Sequence, residues 1–384
     1  MTFPHLAAEL KTLETDGLLR RRRILESPQG ARIIVDGREF LSFCSNDYLG
    51  LANHPALIAA MQQGAAQFGV GAGASHLVSG HSSAHQQLET ALAEFVGLER
   101  ALLFSTGYMA NLGIVGALVG RDDEIFADKL NHASLNDAAL LSRAKLSRYP
   151  HLDLAALEQR LAVSRARRKL VVSDAVFSMD GNLAPVAQLL ALCEHYNAWL
   201  MLDDAHGFGV LGAGGRGVLE HFAVASSRIV YMATLGKAAG VAGAFAAGDA
   251  VLIETLIQRA RTYIYTTAMP PPLATALSAG LRLMAEEGWR REHLRDLIEV
   301  LHSRLTPRNW RLLPSATPIQ PLVIGGNKEA VAASEALRER GIWAPAIRPP
   351  TVPKGQARLR ISLSAAHEVA DVERLAAALN EIEI

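Results

Sequence analysis

Cysteine is scarce in this chain: Cys44 and Cys193 are the two among 384 residues. Two isolated thiols build neither a disulfide framework nor a zinc site, and they suit a reducing compartment. Net charge is missing too, because 38 Lys and Arg balance 38 Asp and Glu. No electrostatic argument therefore favours nucleic acid or an anionic membrane as a partner. No apolar run approaches a membrane span, and residues 1–13 lack the apolar core of a secretory signal. Internal repeats and low-complexity linkers are also absent from the sequence. These absences predict a soluble, cytoplasmic protein with no nucleic-acid or membrane partner and no metal site.

What is present is apolar residue, half of the chain, enough for two well-buried domains. Residues 1–19 are amphipathic, with Leu6, Leu10 and Leu13 at helical spacing. Residues 31–43 alternate like strands around Asp36-Gly37. From Pro55 onward helical patterns and short apolar runs take turns. Strands are expected at 101–104, 124–127, 169–173, 199–202 and 228–232, with helices at 55–67, 85–96 and 110–119. Such alternation implies an α/β fold, a mostly parallel sheet covered by helices on both sides. Near Pro270-Pro271-Pro272 the pattern changes to a long helix (273–287), strands at 321–324 and 358–363, and helices at 328–340 and 368–382. The division expected is an N-terminal helix and strand segment at 1–45, a large domain at 46–275 and a smaller α+β domain at 276–384.

Two of the apolar runs end in reactive groups. Trp199 to Leu202 leads into Asp203-Asp204-Ala205-His206-Gly207, and Ile229 to Ala233 leads into Thr234-Leu235-Gly236-Lys237. In parallel α/β sheets ligands bind beyond the carboxyl ends of the strands. An acid and a lysine delivered there suit pyridoxal phosphate: the lysine forms the Schiff base and the acid keeps the pyridine nitrogen protonated. The small residues after Lys237 let a flat ring approach the backbone. Three other readings stay open at this point: a surface lysine, an Asp203 that caps a helix, and an Asp203-Asp204 pair that binds Mg²⁺. On an extended strand Asp204 faces away from Asp203, which makes it the weaker ring partner.

Ser105-Thr106-Gly107-Tyr108-Met109-Ala110-Asn111 follows a strand and opens a helix, which suits a phosphate or an ordinary cap. Gly69 to Ala74 lacks the preceding strand of a dinucleotide loop, so NAD is rejected there. Asn131-His132-Ala133-Ser134 stands after a third strand, where His132 is either structural or a flat ring for stacking. Arg348 lies in a proline-fixed loop, and Arg358 and Arg360 share one strand face, suited to carboxylates or to surface ion pairs.

Together these residues resemble the α-oxoamine synthases, a family of fold-type I pyridoxal phosphate-dependent acyltransferases. The motifs that carry the resemblance are Ser45-Asn46-Asp47-Tyr48-Leu49-Gly50, Asn131-His132-Ala133-Ser134, Val176-Phe177-Ser178-Met179-Asp180-Gly181, Asp203 to Gly207, Thr234 to Lys237 and Tyr265-Thr266-Thr267-Ala268-Met269-Pro270-Pro271. The resemblance implies a seven-stranded, mostly parallel sheet in the large domain. It also implies Lys237 as the cofactor lysine and general base, Asp203 as the ring-nitrogen partner and His132 as the stacking and catalytic ring. His206 and Ser178 would lie near the phenolic oxygen. Gly107, Tyr108 and Thr234 would hold the phosphate, with Thr266 or Thr267 reaching it from the other subunit of a homodimer whose active site lies at the interface.

Arg360 would bind the amino-acid carboxylate. Asn46, Arg20 and Thr351 fall at substrate positions, and Arg348 would take the far carboxylate of an acyl chain. Residues 347–353 and the arginine run after Leu19 resemble the biotin-pathway member, which condenses L-alanine with pimeloyl-CoA or pimeloyl carrier protein and releases CO₂. The glycine-using members, glycine C-acetyltransferase and 5-aminolevulinate synthase, are the alternatives. Outside the family stand a non-catalytic cofactor-binding regulator, disfavoured by the lack of a DNA-binding module, and a metal-dependent phosphotransferase. Asp174 stands where the family pattern predicts Glu.

Overall fold

The computed structural model describes residues 3–383. Helix α1 (Pro4–Thr15) starts with proline in its first turn, and none of its residues is buried. Leu6, Leu10 and Leu13 lie on its surface. The first two residues of the helix expected over 1–19 lie outside the described residues. Strands β1 (Arg32–Val35) and β2 (Arg38–Ser42) pair antiparallel. Asp36 and Gly37 join them with φ of 49° and 76°, the left-handed pair that a two-residue hairpin turn requires.

Helices α2 (Pro55–Phe68) and α3 (Ser83–Val96) follow. Gly64 lets α2 approach the helix Pro271–Glu286 closely: a Cβ there would sit 2.1 Å from Thr275 Oγ1 and 3.0 Å from Pro272 Cα. Strand β3 (Arg100–Phe104) then leads into helix α4 (Gly107–Leu118), and β4 (Glu124–Asp128) into helix α5 (Ala133–Ser142). The remaining strands of the large sheet are β5 (Lys145–Tyr149), β6 (Lys169–Asp174), β7 (Trp199–Asp203), β8 (Ile229–Thr234) and β9 (Ala244–Gly248).

These seven strands lie in the order β3-β9-β8-β7-β6-β4-β5. All neighbouring pairs run parallel except the two that involve β9. The expected mostly parallel sheet of seven strands is what the chain forms. Every residue of β4 and of β9 is buried, as are all but the edges of β6, β7 and β8. That is the continuous apolar reading of a sheet covered on both faces. Leu102, Ile114, Val115, Ile125, Leu170, Val172, Met201 and Ile253 belong to one core. Val172 and Met201 sit opposite each other, as do Asp174 and Asp203 one face-repeat later. Asp203 in turn pairs with Met232. The carboxyl ends of β6, β7 and β8 are therefore level.

The C-terminal part adds β10 (Arg311–Leu312), β11 (Ile319–Gly325), β12 (Ile342–Trp343), β13 (Ala346–Ile347) and β14 (Ala357–Ser362). β12 joins the first hairpin in the sheet β1-β2-β12, and the others form the antiparallel sheet β10-β11-β14-β13. The chain divides into two compact units. One is Met1–Gly50, Met179–Asn182 and Arg290–Ile384, and the other is Leu51–Ser178 and Leu183–Trp289. Among the described residues no helix is long and apolar enough to cross a membrane.

Candidate active site

The carboxyl ends of four neighbouring parallel strands deliver the reactive groups of the larger unit. β8 is followed by Lys237, β7 by His206, β6 by Ser178 and β4 by His132. A cavity of about 220 Å³ collects Gly107, Tyr108, His132, Ser178, Asp203, His206, Thr234 and Lys237, with Asn111, Ser134, Asp174, Val176, Ala205 and Met232 completing its wall. Eight of the expected cofactor positions thus share one cavity. Thr266 and Thr267 do not line it in this chain; they follow the short helix Arg261–Ile264.

Lys237 Nζ lies 3.0 Å from His206 Nε2. Asp203 is buried, and both of its oxygens accept an N–H: Oδ1 from Ala205 at 3.0 Å and Oδ2 from Asn111 Nδ2 at 2.7 Å. No helix begins there, so the contact to Ala205 is a turn and not a helix cap. The same Asn111 nitrogen donates to Ser134 Oγ at 2.8 Å. Ser134 Oγ lies 2.7 Å from His132 Nδ1, and the Ser134 amide N–H points at that Nδ1 from 3.3 Å. An amide N–H can only donate, so Nδ1 carries the lone pair and the neutral ring bears its proton on Nε2. Desolvation by the cavity wall lowers the His132 pKa; the charge of Asp203 opposes this and that of Lys237 reinforces it.

Asp174 is wholly enclosed. Burial pushes its carboxyl well above the ordinary range, the neighbouring Asp203 charge adds to the rise, and the His132 N–H, 3.0 Å from Oδ2, opposes it. Position 174, where the family pattern predicts Glu, is thus filled by a short acid that anchors the His132 backbone.

Asp204 does something different. Its Oδ2 accepts from Val218 N at 2.7 Å and from the Tyr231 hydroxyl at 2.8 Å. Burial pushes its pKa up to about 7, and it lies outside the cavity wall. The Asp203-Asp204 pair therefore does not present two carboxylates to one ion, which removes the Mg²⁺ reading. Gly217, at φ 87°, leaves room for this carboxylate: a Cβ there would sit 2.1 Å from Oδ2. Asp204→Ala strands two buried donors and is expected to cost about 3 kcal/mol of stability. Urea unfolding of the variant measures it, and an unchanged midpoint would contradict the structural role.

At the other side of the cavity α4 begins with Gly107. Thr106 caps it by accepting from Met109 N at 3.1 Å. The N–H groups of Gly107 and Tyr108 fall in the first turn, outside the helix ladder. A Cβ on Gly107 would meet nothing nearer than Thr234, at 3.9 Å. The Tyr108 hydroxyl is bound to Asp137.

The expected substrate residues lie in the other unit. Arg360 is buried and donates to Asn46 Oδ1 at 3.2 Å, to Ser362 Oγ at 2.7 Å and to the Tyr48 hydroxyl at 3.3 Å. Arg358 is instead spent on an ion pair with Asp180 at 2.8 Å and on the Met179 carbonyl. Arg348 donates to the Gly17 carbonyl and lines a groove with Arg21, Arg23, Lys328 and Arg338. Burial lowers the Arg348 pKa, and the Arg20 charge adds to this. Arg20 and Thr351 are exposed. Sequence reasoning missed Asn111 as a site residue; its signal was its place one helical turn after Gly107.

Comparison with known proteins adds identity to this geometry. The model of the aminotransferase class I and II family matches residues 38–379. An 8-amino-7-oxononanoate synthase of Nitrosomonas eutropha is 63% identical over 99% of both chains. One of Nitrosospira multiformis is 66% identical, over 97% of this chain and 94% of that one. Among solved structures, a lysine-to-alanine variant of a serine palmitoyltransferase from S. paucimobilis with a bound PLP–myriocin aldimine superposes with a TM-score of 0.93 at 28% identity, over 99% of this chain and 97% of that one. The 8-amino-7-oxononanoate synthase from Francisella tularensis superposes with a TM-score of 0.76 at 31% identity, over 89% and 98%. The chain belongs to the aminotransferase class I and II family, and within it to the group of the 8-amino-7-oxononanoate synthases.

Proposed function

We propose that this protein condenses L-alanine with a pimeloyl thioester, carried by CoA or a carrier protein, to give 8-amino-7-oxononanoate, CO₂ and free thiol in biotin biosynthesis. Pyridoxal 5′-phosphate is the cofactor. The observation that carries this reading is the convergence of Lys237, His206, Asp203 and His132 on one cavity beyond four parallel strands. Identity of 60–66% with synthases of that name along nearly the whole chain supports the choice of reaction.

The residues present fit the cofactor. Backbone N–H groups at the start of α4 and the Thr234 hydroxyl suit a phosphate. A buried carboxylate whose two oxygens are already oriented by N–H donors is held in place to face a protonated ring nitrogen. When bound, pyridoxal phosphate supplies an electron sink for the amino-acid α-carbon, both when its proton leaves and when CO₂ leaves.

Lys237 is the residue that would hold the cofactor covalently, and its freed amine would be the base that takes the α-proton and the acid that returns a proton to the product. Nζ lies 3.0 Å from His206 Nε2, a partner that positions the amine in the cavity. Ser178 and His206 would hold the phenolic oxygen. His132 would stack on the ring, and its Nε2–H would be the donor available to the thioester oxygen, where charge develops on attack. Arg360, already in a fork with Asn46 and Tyr48, takes the amino-acid carboxylate, and Arg20, Arg348 and Thr351 receive the acyl chain. A hold on the carboxylate would also orient the α-carbon and so select which of its bonds is activated.

The same reading makes the protein a cytoplasmic homodimer in which Thr266 or Thr267 reaches the partner's phosphate. Sedimentation of an active monomer would contradict that. Substrate choice is tested by thiol release: L-alanine with pimeloyl-CoA is expected to outpace glycine with acetyl- or succinyl-CoA. Preference for glycine would move the assignment to another member of the family.

A further inference from the structure

Away from this cavity, three imidazoles meet at the single π-helical turn His76–Gly80 and the start of α3. One ring nitrogen from each of His76, His81 and His85 lies within 4.8 Å of the others, the one such group of three among the described residues. His76 and His85 are buried and His81 is half-buried. We propose that His76, His81 and His85 form a binding site for one transition-metal dication that favours nitrogen ligands, such as Zn²⁺.

The hydrogen bonds around the trio support this. His85 Nε2 lies 2.7 Å from the Met269 carbonyl, which can only accept, so Nε2 carries the proton and Nδ1 the lone pair. Ser82 N–H, 3.0 Å from that Nδ1, agrees. His81 Nε2 lies 3.4 Å from Gln86 Oε1, so its lone pair is also on Nδ1. His81 Nδ1 faces His76 Nδ1 at 3.0 Å, and one proton, on His76, holds that pair together.

A metal ion replaces that shared proton, which moves to His76 Nε2 through solvent. A histidine that ligates a metal donates its other ring N–H to a carbonyl or carboxylate, as His85 and His81 already do toward Met269 and Gln86. The rings must draw together, since nitrogens around a tetrahedral zinc stand about 3.3 Å apart. The Ser82 cap on His85 is given up as they do.

The bound ion joins the π-turn to α3 and, through Met269, to the segment whose Ala268 N–H is held by the Ala74 carbonyl. It is therefore expected to stiffen this corner of the fold. The test uses the full, untagged chain after chelator treatment. Titration with Co²⁺ is expected to give visible d–d absorption that saturates at one ion per chain and is displaced by Zn²⁺, and Zn²⁺ is expected to raise the melting temperature. His81→Gln, at a half-exposed position, is expected to weaken binding about tenfold or more and to abolish the Zn²⁺ shift. His76→Phe keeps the ring stacked on Tyr263 and is expected to do the same. Absence of saturable absorption up to millimolar Co²⁺, or isotherms unaltered in both variants, would overturn the proposal.

Discussion

Lys237→Ala is expected to lower turnover by about 10⁴-fold or more, since covalent attachment and proton transfer depend on one amine. The loss should fall on kcat, because the residues proposed for the phosphate and the ring are untouched. Two further readouts separate this from a general defect. Borohydride should reduce the cofactor onto Lys237 in the wild-type protein and leave the variant unlabelled. Exchange of the alanine α-proton with deuterated solvent, followed by NMR without any thioester, should stop in the variant. Exchange at the wild-type rate would remove Lys237 from the role of base.

The second large effect is expected from Asp203→Asn, about 10²- to 10³-fold in kcat, the scale for removing one preorganised electrostatic partner. An amide keeps the size of the side chain but does not hold a ring nitrogen protonated. It also meets the Asn111 amide nitrogen, which now lies 2.7 Å from an Asp203 oxygen. The absorption spectrum of the bound cofactor should shift, and its pH dependence with it. A variant with normal kcat and spectrum would show that Asp203 serves the fold alone.

The site was readable where chemistry and strand ends coincide. Asp203, His206, Thr234 and Lys237 each follow an apolar run, and a run of that length between helical patterns has few readings in an α/β chain. The sheet was less complete in the sequence. Ala244–Gly248 is Ala-Phe-Ala-Ala-Gly, without the β-branched residues that mark a strand; its neighbours on both sides and not its own propensity make it one. Lys145–Tyr149 mixes polar and apolar residues because it forms the edge of the sheet. The helix Trp289–Arg304 escaped notice because its charged residues mask the stripe of Leu294, Leu297, Ile298 and Leu301 that it buries.

Contacts between distant segments stayed invisible for a plainer reason. Asn111 looks like a helix residue until Asp203, 92 positions later, accepts its N–H. His76, His81 and His85 read as loop and helix start until the π-turn folds them together. Arg358 and Arg360 share a strand face, but only the structure separates the one spent on Asp180 from the one forked between Asn46, Ser362 and Tyr48.

Two adjacent aspartates make the end of β7 ambiguous in frame. A slip of one residue would exchange their faces and present Asp204 where Asp203 now stands, with little change in apolar burial. The Val218 amide, the Tyr231 hydroxyl and the space beside Gly217 accept only one of the two frames, because they give Asp204 a fitted berth on the far side. A carboxylate that never meets the cavity thus keeps its neighbour's aim true.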